Sequence, residues 1–177
     1  MSDNDARIDG YARGLFEVAR AEGTIDEVED ELFRFARSYE GSDELRSALT
    51  DDTIPAARRQ SIVEDLLGGK ATPTTVQLIS MVVGSGRTRD LPAIVDRLVQ
   101  RAAASKDEQV AEVRSAVDLT PDQLDRLRAA LANATGKSVN LKVIVDPSVL
   151  GGLVATVGDT IIDGTVRTHL DQLKSRL

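Results

Sequence analysis

The sequence predicts an α+β protein: an N-terminal six-helix bundle domain, residues 1–105, followed by a small α/β domain, residues 106–177, with a mixed sheet and two helices. Two observations about the spacing of apolar residues lead to this prediction. Up to residue 104, apolar side chains recur at spacings of three and four, which is typical of amphipathic helices. Beyond the polar stretch 105–108 the spacing changes to two, which is typical of strands.

Glycines, polar caps and prolines divide the first 105 residues into helices. Gly23 ends the first helix, and Thr24 is placed to cap the second. Thr72 and Pro73 are an N-cap and a first-turn proline, and they open a helix that is apolar nearly all round and therefore central. The predicted helical segments are 8–19, 25–39, 43–49, 55–67, 72–83 and 91–104, and the fourth should bury Ile62, Val63, Leu66 and Leu67.

The α/β half is predicted from alternating apolar residues and one strong cap. Strands are expected at 111–117 and 139–145, separated by a helix that begins with the capping box Thr120-Pro121-Asp122-Gln123. After Gly151-Gly152, a hairpin should turn at Gly158-Asp159, which is a pair that two-residue turns prefer. Asp163-Gly164 closes the second hairpin strand. The last helix then carries Val166, Leu170, Leu173 and Leu177 on one face.

Composition and charge exclude several functional classes. The net charge of −7 argues against a non-specific nucleic-acid binder and against docking on anionic lipid. The absence of cysteine removes disulfides, thiolate nucleophiles and sulfur-ligated metals. No apolar run approaches the roughly 18–20 residues of a membrane-spanning helix, and the N-terminus is acidic and polar. We therefore expect a cytoplasmic protein without direct membrane insertion and without cofactors.

Three features resemble catalytic or ligand-binding motifs but are better explained by structure. Gly136-Lys137-Ser138 matches the end of a phosphate-binding loop, yet Leu131 occupies the position of its first glycine, so Gly136 is interpreted as a helix C-cap. Asp159 and Asp163 could be paired carboxylates, but both adjoin glycines at turns, where aspartate is common. His169 has no neighbours in the sequence pattern that would make it a metal ligand or a general base.

Three stretches resemble the delta subunit of bacterial F-type ATP synthases, a family homologous to the mitochondrial oligomycin-sensitivity-conferring protein. The most specific stretch is G-G-L-V-A-T-V-G-D-T-I-I-D-G-T-V-R-T-H-L-D-Q-L at 151–173. Residues 11–19, Y-A-R-G-L-F-E-V-A, resemble its opening helix, and G-R at 86–87 with D-L-P at 90–92 resembles its middle segment. Gly14 departs from the alanine that is usual in the family, and a glycine there should weaken the first helix by roughly 0.5–1 kcal/mol.

The resemblance implies a connector that catalyses nothing. Members of this family join the peripheral stalk of ATP synthase, through its b subunits, to the top of the catalytic head, with one copy per complex on the cytoplasmic face of the membrane. Their N-terminal domain binds the amphipathic N-terminal segment of an alpha subunit in a groove between helices 1 and 5. Carried over here, the groove residues are Tyr11, Leu15, Phe16, Ala19, Val76, Ile79 and Val83, and the C-terminal signature residues are Gly151, Gly152, Gly158, Asp159, Asp163 and Gly164.

From the residues alone, two other classes of function stay open. A small hydrolase or nucleotide-binding enzyme would use Gly136-Lys137-Ser138 or the acidic turns, and nucleotide titration would detect it. A nucleic-acid module is compatible with a small domain of strands and helices, although the acidic charge and the aromatic content of only 3% argue against it.

Overall fold

The computed structural model describes residues 3–106, 108–149, 151–158 and 160–163. The chain divides into two compact units, Met1–Ala102 and Ala103–Leu177, each considered separately below. The sequence places the domain boundary at Ser105, three residues beyond this division. The last predicted helix, with Val166, Leu170, Leu173 and Leu177, lies outside the described residues, as do Asp159, Gly164 and His169.

Six α-helices precede the first strand in the described part of the chain. A short 3-10 turn at Thr88–Asp90 leads into the sixth. The helices are α1 Asp3–Ala21, α2 Ile25–Gly41, α3 Asp43–Thr50, α4 Ala56–Leu67, α5 Pro73–Gly84 and α6 Leu91–Ser105. Each predicted helical segment corresponds to one of them, with boundaries that differ by a few residues.

Caps explain why two helices begin where they do, and they correct one prediction. The Thr72 side chain accepts a hydrogen bond from the Thr75 N–H at the start of α5, as its position before Pro73 predicts. Thr24 was expected to cap α2, but its side chain makes no cap hydrogen bond. At φ −115° and ψ 25° its backbone is outside the extended region that aims a cap hydroxyl at the helix, and its buried Oγ1 has no hydrogen-bond partner in the described structure.

Large aliphatic side chains from five of the helices, α1, α2, α3, α5 and α6, form the core of the first unit. The apolar residues of α4 are less buried than predicted. Val63 is fully buried, but Leu66 is 42% exposed. Leu66 therefore belongs to the surface of α4. The largest fully buried apolar side chains in this unit are Leu15, Leu32, Leu49, Ile79, Leu91, Ile94 and Leu98.

The second unit contains a four-stranded mixed sheet in the order β2-β1-β3-β4. The strands are β1 Gln109–Ser115, β2 Val139–Val145, β3 Leu153–Val157 and β4 Thr160–Asp163. The central strand β1 pairs in parallel with β2 and antiparallel with β3. Helix α7, Pro121–Thr135, connects β1 to β2, and its predicted capping box between Thr120 and Gln123 is present.

The predicted β-hairpin is confirmed by the pairing of β3 with β4. Val157 and Thr160 are partners, so two residues form the turn, and Gly158 has a φ of 57°. The first strand lies two residues earlier than predicted: it begins at Gln109 and ends at Ser115, where the carbonyl accepts a hydrogen bond from the Asp146 N–H, and Val117 beyond it is 66% exposed. The buried core of this unit consists of Ala111, Val113, Leu131, Val139, Ala155 and Val157.

Together, these elements make a mostly helical protein with a small mixed sheet, in agreement with the predicted α+β class.

Candidate interaction surface

Most of the groove residues predicted on α1 are buried in the isolated chain. Leu15 and Ala19 are 0% exposed, and Phe16 is 5% exposed, so these three side chains are part of the core. The guanidinium of Arg20 lies 5.8 Å from the centre of the Phe16 ring and helps to cover it. Only Tyr11, one helical turn earlier, is half-buried, and a partner could reach its ring without opening the core.

Helix α5 follows the same pattern. Ile79 and Val83 are 0% exposed, whereas Val76 is half-buried near the N-terminal end of the helix. The helix contacts both α2 and α4, which confirms the prediction that a helix apolar nearly all round occupies a central position.

Two carboxylates hold the N-terminal end of α5. The Thr74 hydroxyl donates a hydrogen bond to the Glu22 carboxylate, which follows α1 directly, so these two helix ends are adjacent. Glu31 of α2 accepts hydrogen bonds at Oε2 from the Thr72 N–H at 2.9 Å and from the Thr72 hydroxyl at 2.8 Å. Negative charge at this end is favoured by the helix dipole.

The Glu31 carboxyl has a pKa below its ordinary value. Burial raises the pKa, but the hydrogen bonds from Thr75 and Thr72 and the positive charge of Arg34 together outweigh that effect. Glu31 therefore contributes to stability as a carboxylate, and its charge is directed at the start of α5.

Sequence reasoning missed the apolar side chains that this part of the molecule exposes. Val18 on α1 is 42% exposed and Met81 on α5 is 46% exposed, and neither was among the predicted groove residues. A helical stripe in the sequence shows which residues share a face, but the exposed edge of that face depends on how neighbouring helices cover it. The exposed valine and methionine are accordingly visible only once the helices are packed.

The C-terminal signature is built around glycines with left-handed backbone angles. Gly151 and Gly152 have φ values of 65° and 80° in the connection that leads into β3, and an L-residue adopts such values only with strain. Asp163 is the last residue of β4. The signature residues Gly151, Gly152 and Gly158 thus shape the two ends of a single strand, β3.

The carboxylate of Asp146 fixes the loop that precedes these glycines. Asp146 Oδ1 accepts hydrogen bonds from the Ser148 hydroxyl at 2.6 Å and from the Ser148 N–H at 2.9 Å. These two bonds, together with the nearby charge of Arg114, lower the pKa of Asp146 against a small opposing effect of burial. The arrangement is a local turn that needs no ligand to explain it.

The features that resembled catalytic motifs have structural roles where they are described. Gly136 has a φ of 71° and caps α7, its N–H donating to the Ala132 carbonyl, so the predicted C-cap is confirmed. Across the described ranges, no three His, Asp or Glu side chains are close enough together to hold a metal ion. Within the same ranges, none of the helices combines the length and the apolar character that crossing a membrane requires.

Comparison with known proteins decides the family. The family model described as "ATP synthase delta (OSCP) subunit" matches residues 8–177, which include parts of both compact units. The chain belongs to this family. Two curated relatives named "ATP synthase subunit delta" are 46% identical over 160 residues in Streptomyces griseus and 44% identical over 163 residues in Nocardia farcinica.

The matches cover 90% and 92% of this chain but only 59% and 60% of those two relatives. This chain therefore spans about three fifths of the length of the delta subunits that it matches. Among solved structures, a chain in the cryo-EM structure of the Toxoplasma gondii mitochondrial ATP synthase hexamer has a similar fold. Its TM-score is 0.57, its identity is 24%, and the match covers 96% of each chain.

Gly14, where the resemblance to the delta family implies an alanine, occupies a position on α1 that has room for a side chain. Gly14 lies on the exposed side of α1, and a β-carbon built there would meet no atom within 4 Å. Because the core side of α1 is formed by Ala12, Leu15, Phe16 and Ala19, the glycine changes the local propensity of the helix and leaves its packing face intact.

Proposed function

We propose that this chain is a non-catalytic stator subunit of the proton-translocating F-type ATP synthase. It would link the b subunits of the peripheral stalk to the top of the alpha/beta catalytic head and resist the torque of the rotor. The observation that carries the proposal is the family match over residues 8–177, since it includes both the helical unit and the sheet-containing unit. One copy would act in each complex, peripherally, on the cytoplasmic face of the membrane.

In this proposal the two domains have separate partners. The N-terminal domain, residues 1–105, is a six-helix bundle that holds the N-terminal segment of an alpha subunit. The C-terminal domain, residues 106–177, meets the b subunits. A connector of this kind must bind firmly at both ends, and it needs neither a catalytic group nor a cofactor to do so.

The alpha segment would lie between α1 and α5. Tyr11 and Val76 supply the accessible apolar surface, because both are half-buried in the isolated chain. The buried residues Leu15, Phe16, Ala19, Ile79 and Val83 would support that surface from beneath. The hydrogen bond from the Thr74 hydroxyl to Glu22 joins the end of α1 to the start of α5, which supports a surface shared by the two helices. An amphipathic helix in such a groove is held mainly by buried apolar area.

Restoration of coupling tests the function. ATP synthase complexes stripped of this subunit should hydrolyse ATP but fail to synthesise it, and adding the full chain should restore synthesis without changing hydrolysis by the head alone. Full synthesis in the stripped complexes, or no recovery after the chain has rebound, would refute the stator proposal.

Calorimetric titration with the alpha N-terminal peptide tests the groove. Tyr11→Ser and Val76→Ser should each weaken binding by about tenfold or more, while both variants keep the core because the two side chains are only half-buried. Val117→Ser is the matched control, because it removes an exposed valine from the other unit. Wild-type affinity in both groove variants would show that the alpha segment binds elsewhere.

A further inference from the structure

A cavity of about 320 Å³ lies between α2, α3 and the C-terminal end of α4. Its apolar lining comes from Phe35, Leu45, Leu66, Leu67 and Ala71. Phe35 is buried at 6% exposure and forms part of the core, but Leu66 is 42% exposed. The cavity thus joins the hydrophobic interior to a leucine that the fold leaves in contact with water.

The exposure of Leu66 is unexpected from the sequence. It belongs to the apolar stripe of α4, which predicts that it is buried together with Val63. Only part of that stripe lies in the core: Val63 is fully buried, whereas Leu66 is exposed at the cavity. A single exposed leucine would be ordinary, but Leu66 is continuous with the half-buried Leu45 and Leu67 at the depression, and contiguous apolar surface is typical of a site for a partner.

The charged groups at the cavity favour an acidic occupant. Arg34 of α2 and Lys70, which follows α4, both line it, and both are exposed. The charge of Arg34 acts partly on Glu31, whose pKa it helps to lower, so among the described residues of the lining Lys70 is the cation that has no carboxylate beside it. The one carboxylate in the lining, Glu31, accepts hydrogen bonds from Thr72, and its charge is directed at the start of α5. With two cations and one carboxylate, the lining has a net charge of +1 on a chain whose overall net charge is −7.

The shape of the cavity favours a helix over a small molecule. Small-molecule pockets enclose most of the ligand surface, but Arg34, Ser38 and Lys70 line this cavity and are exposed, so it is open to solvent. A helix needs only a shallow apolar depression that accepts side chains at three- and four-residue spacing, with its polar face remaining in water.

We propose that this cavity is a docking site for a short acidic amphipathic helix of a partner protein. Apolar residues of that helix would contact Phe35, Leu45 and Leu66, and its carboxylates would pair with Arg34 and Lys70. The site is formed by α2, α3 and α4, so it is separate from the surface proposed between α1 and α5. The inference does not depend on the stator assignment.

The experiment uses the full chain and a pair of fluorescein-labelled helical peptides with the same leucine stripe, one flanked by glutamates and one by lysines. Fluorescence anisotropy should show saturable binding of the acidic peptide with a Kd of about 1 mM or lower. The basic peptide should bind at least about tenfold more weakly. Amide chemical shifts of the labelled protein should change most at residues 31–38 and 66–71.

Charge reversal makes the test specific. Arg34→Glu combined with Lys70→Glu should reverse the order of the two peptides, so that the basic peptide binds more tightly. Arg58→Glu is the control, because Arg58 is an exposed arginine of α4 outside the cavity. Leu66→Ser should lower the affinity for the acidic peptide by about tenfold. Met81→Ser removes an apolar side chain of similar exposure outside the cavity and should leave that affinity unchanged.

Four results would overturn the proposal. They are failure of the acidic peptide to bind at concentrations up to about 1 mM, equal affinity for the two peptides, chemical shift changes that map away from the cavity, and binding of sodium decanoate without binding of the peptide. The last result would assign the cavity to a fatty acid or a similar small anion.

Discussion

The two units of this protein are stabilised in different ways. The N-terminal unit buries seven large aliphatic side chains completely, and they come from helices that contact their neighbours through broad apolar faces. The described core of the C-terminal unit consists of two alanines, three valines and one leucine. Small side chains remove less apolar area from water, so the sheet depends more on backbone hydrogen bonds and on correctly formed turns.

The units also differ in the sequence distance between their contacts. The backbone hydrogen bonds of the N-terminal helices are local, although α2 also packs on the distant α5, whereas every backbone ladder of the sheet joins distant residues, because β1 must find β2 after the intervening α7 and β3 still later. Contacts between distant residues slow folding. We therefore expect the helical unit to fold faster and to tolerate changes of backbone angle better than the sheet does.

Matched leucine substitutions in the two cores should have the largest effects. Leu32→Ala, at a fully buried site on α2, should lower the free energy of unfolding of the helical unit by about 2–5 kcal/mol. Leu131→Ala on α7 should cost only about 2 kcal/mol, because partly buried neighbours such as Leu127 can move into the space. Urea denaturation followed by amide resonances of each unit measures both values.

Leu66→Ala is the control for these two variants and should change stability by only about 0.5 kcal/mol, since the side chain is 42% exposed. Equal losses for Leu32→Ala and Leu131→Ala would contradict the contrast between the two cores.

The hairpin turn offers an intermediate effect that is confined to the sheet. Gly158→Val should destabilise the C-terminal unit by about 1–2 kcal/mol, because valine is strained at a φ of 57°. Gly158→Asn should cost less, since asparagine adopts left-handed angles more readily. Thermal unfolding monitored by circular dichroism compares the variants, and an unchanged melting temperature for Gly158→Val would show that the turn is not a determinant of stability.

The smallest expected effect is at the carboxylate that holds α5. Glu31→Gln should lower the stability of the helical unit by about 0.5–1 kcal/mol near neutral pH, since the amide can still accept a hydrogen bond but has no charge. The pKa of Glu31 is lowered below its ordinary 4.5, so its contribution is fully present above pH 4.5 and is lost as the pH falls through the lower pKa of the folded state.

The difference between wild type and Glu31→Gln should consequently shrink below pH 4.5 in urea denaturation performed at several pH values. Glu27→Gln, an exposed change on the same helix, provides the control. A difference that stays constant down to low pH would mean that the charge of Glu31 is not involved.

Features set by short stretches of sequence were predictable, and features set by packing were not. The cap at Thr72, the capping box at Thr120, the C-cap at Gly136 and the hairpin at Gly158 each depend on a few adjacent residues, and all four are present. Thr24 has the right residue type for a cap but the wrong backbone angles, which follow from how the chain passes between α1 and α2.

The candidate interaction surface also depends on packing, which the sequence does not reveal. The resemblance identifies the residues of α1 and α5, but it does not distinguish Leu15 and Ile79, which are interior, from Tyr11 and Val76, which a partner can reach. Likewise, Lys142 is only 5% exposed, although lysine is a residue type that is rarely buried. Burial of this kind depends on neighbours that are distant in the sequence.

The position of β1 at the centre of the sheet determines how the C-terminal unit responds to force. The chain enters this unit through β1, which has seven paired residues on its β2 side and five on its β3 side. A pull along the axis of β1 acts on both ladders at once, so their hydrogen bonds share the load in shear. An edge strand could be peeled away one bond at a time. A tensile load applied through the entering chain therefore meets the most resistant direction of the sheet.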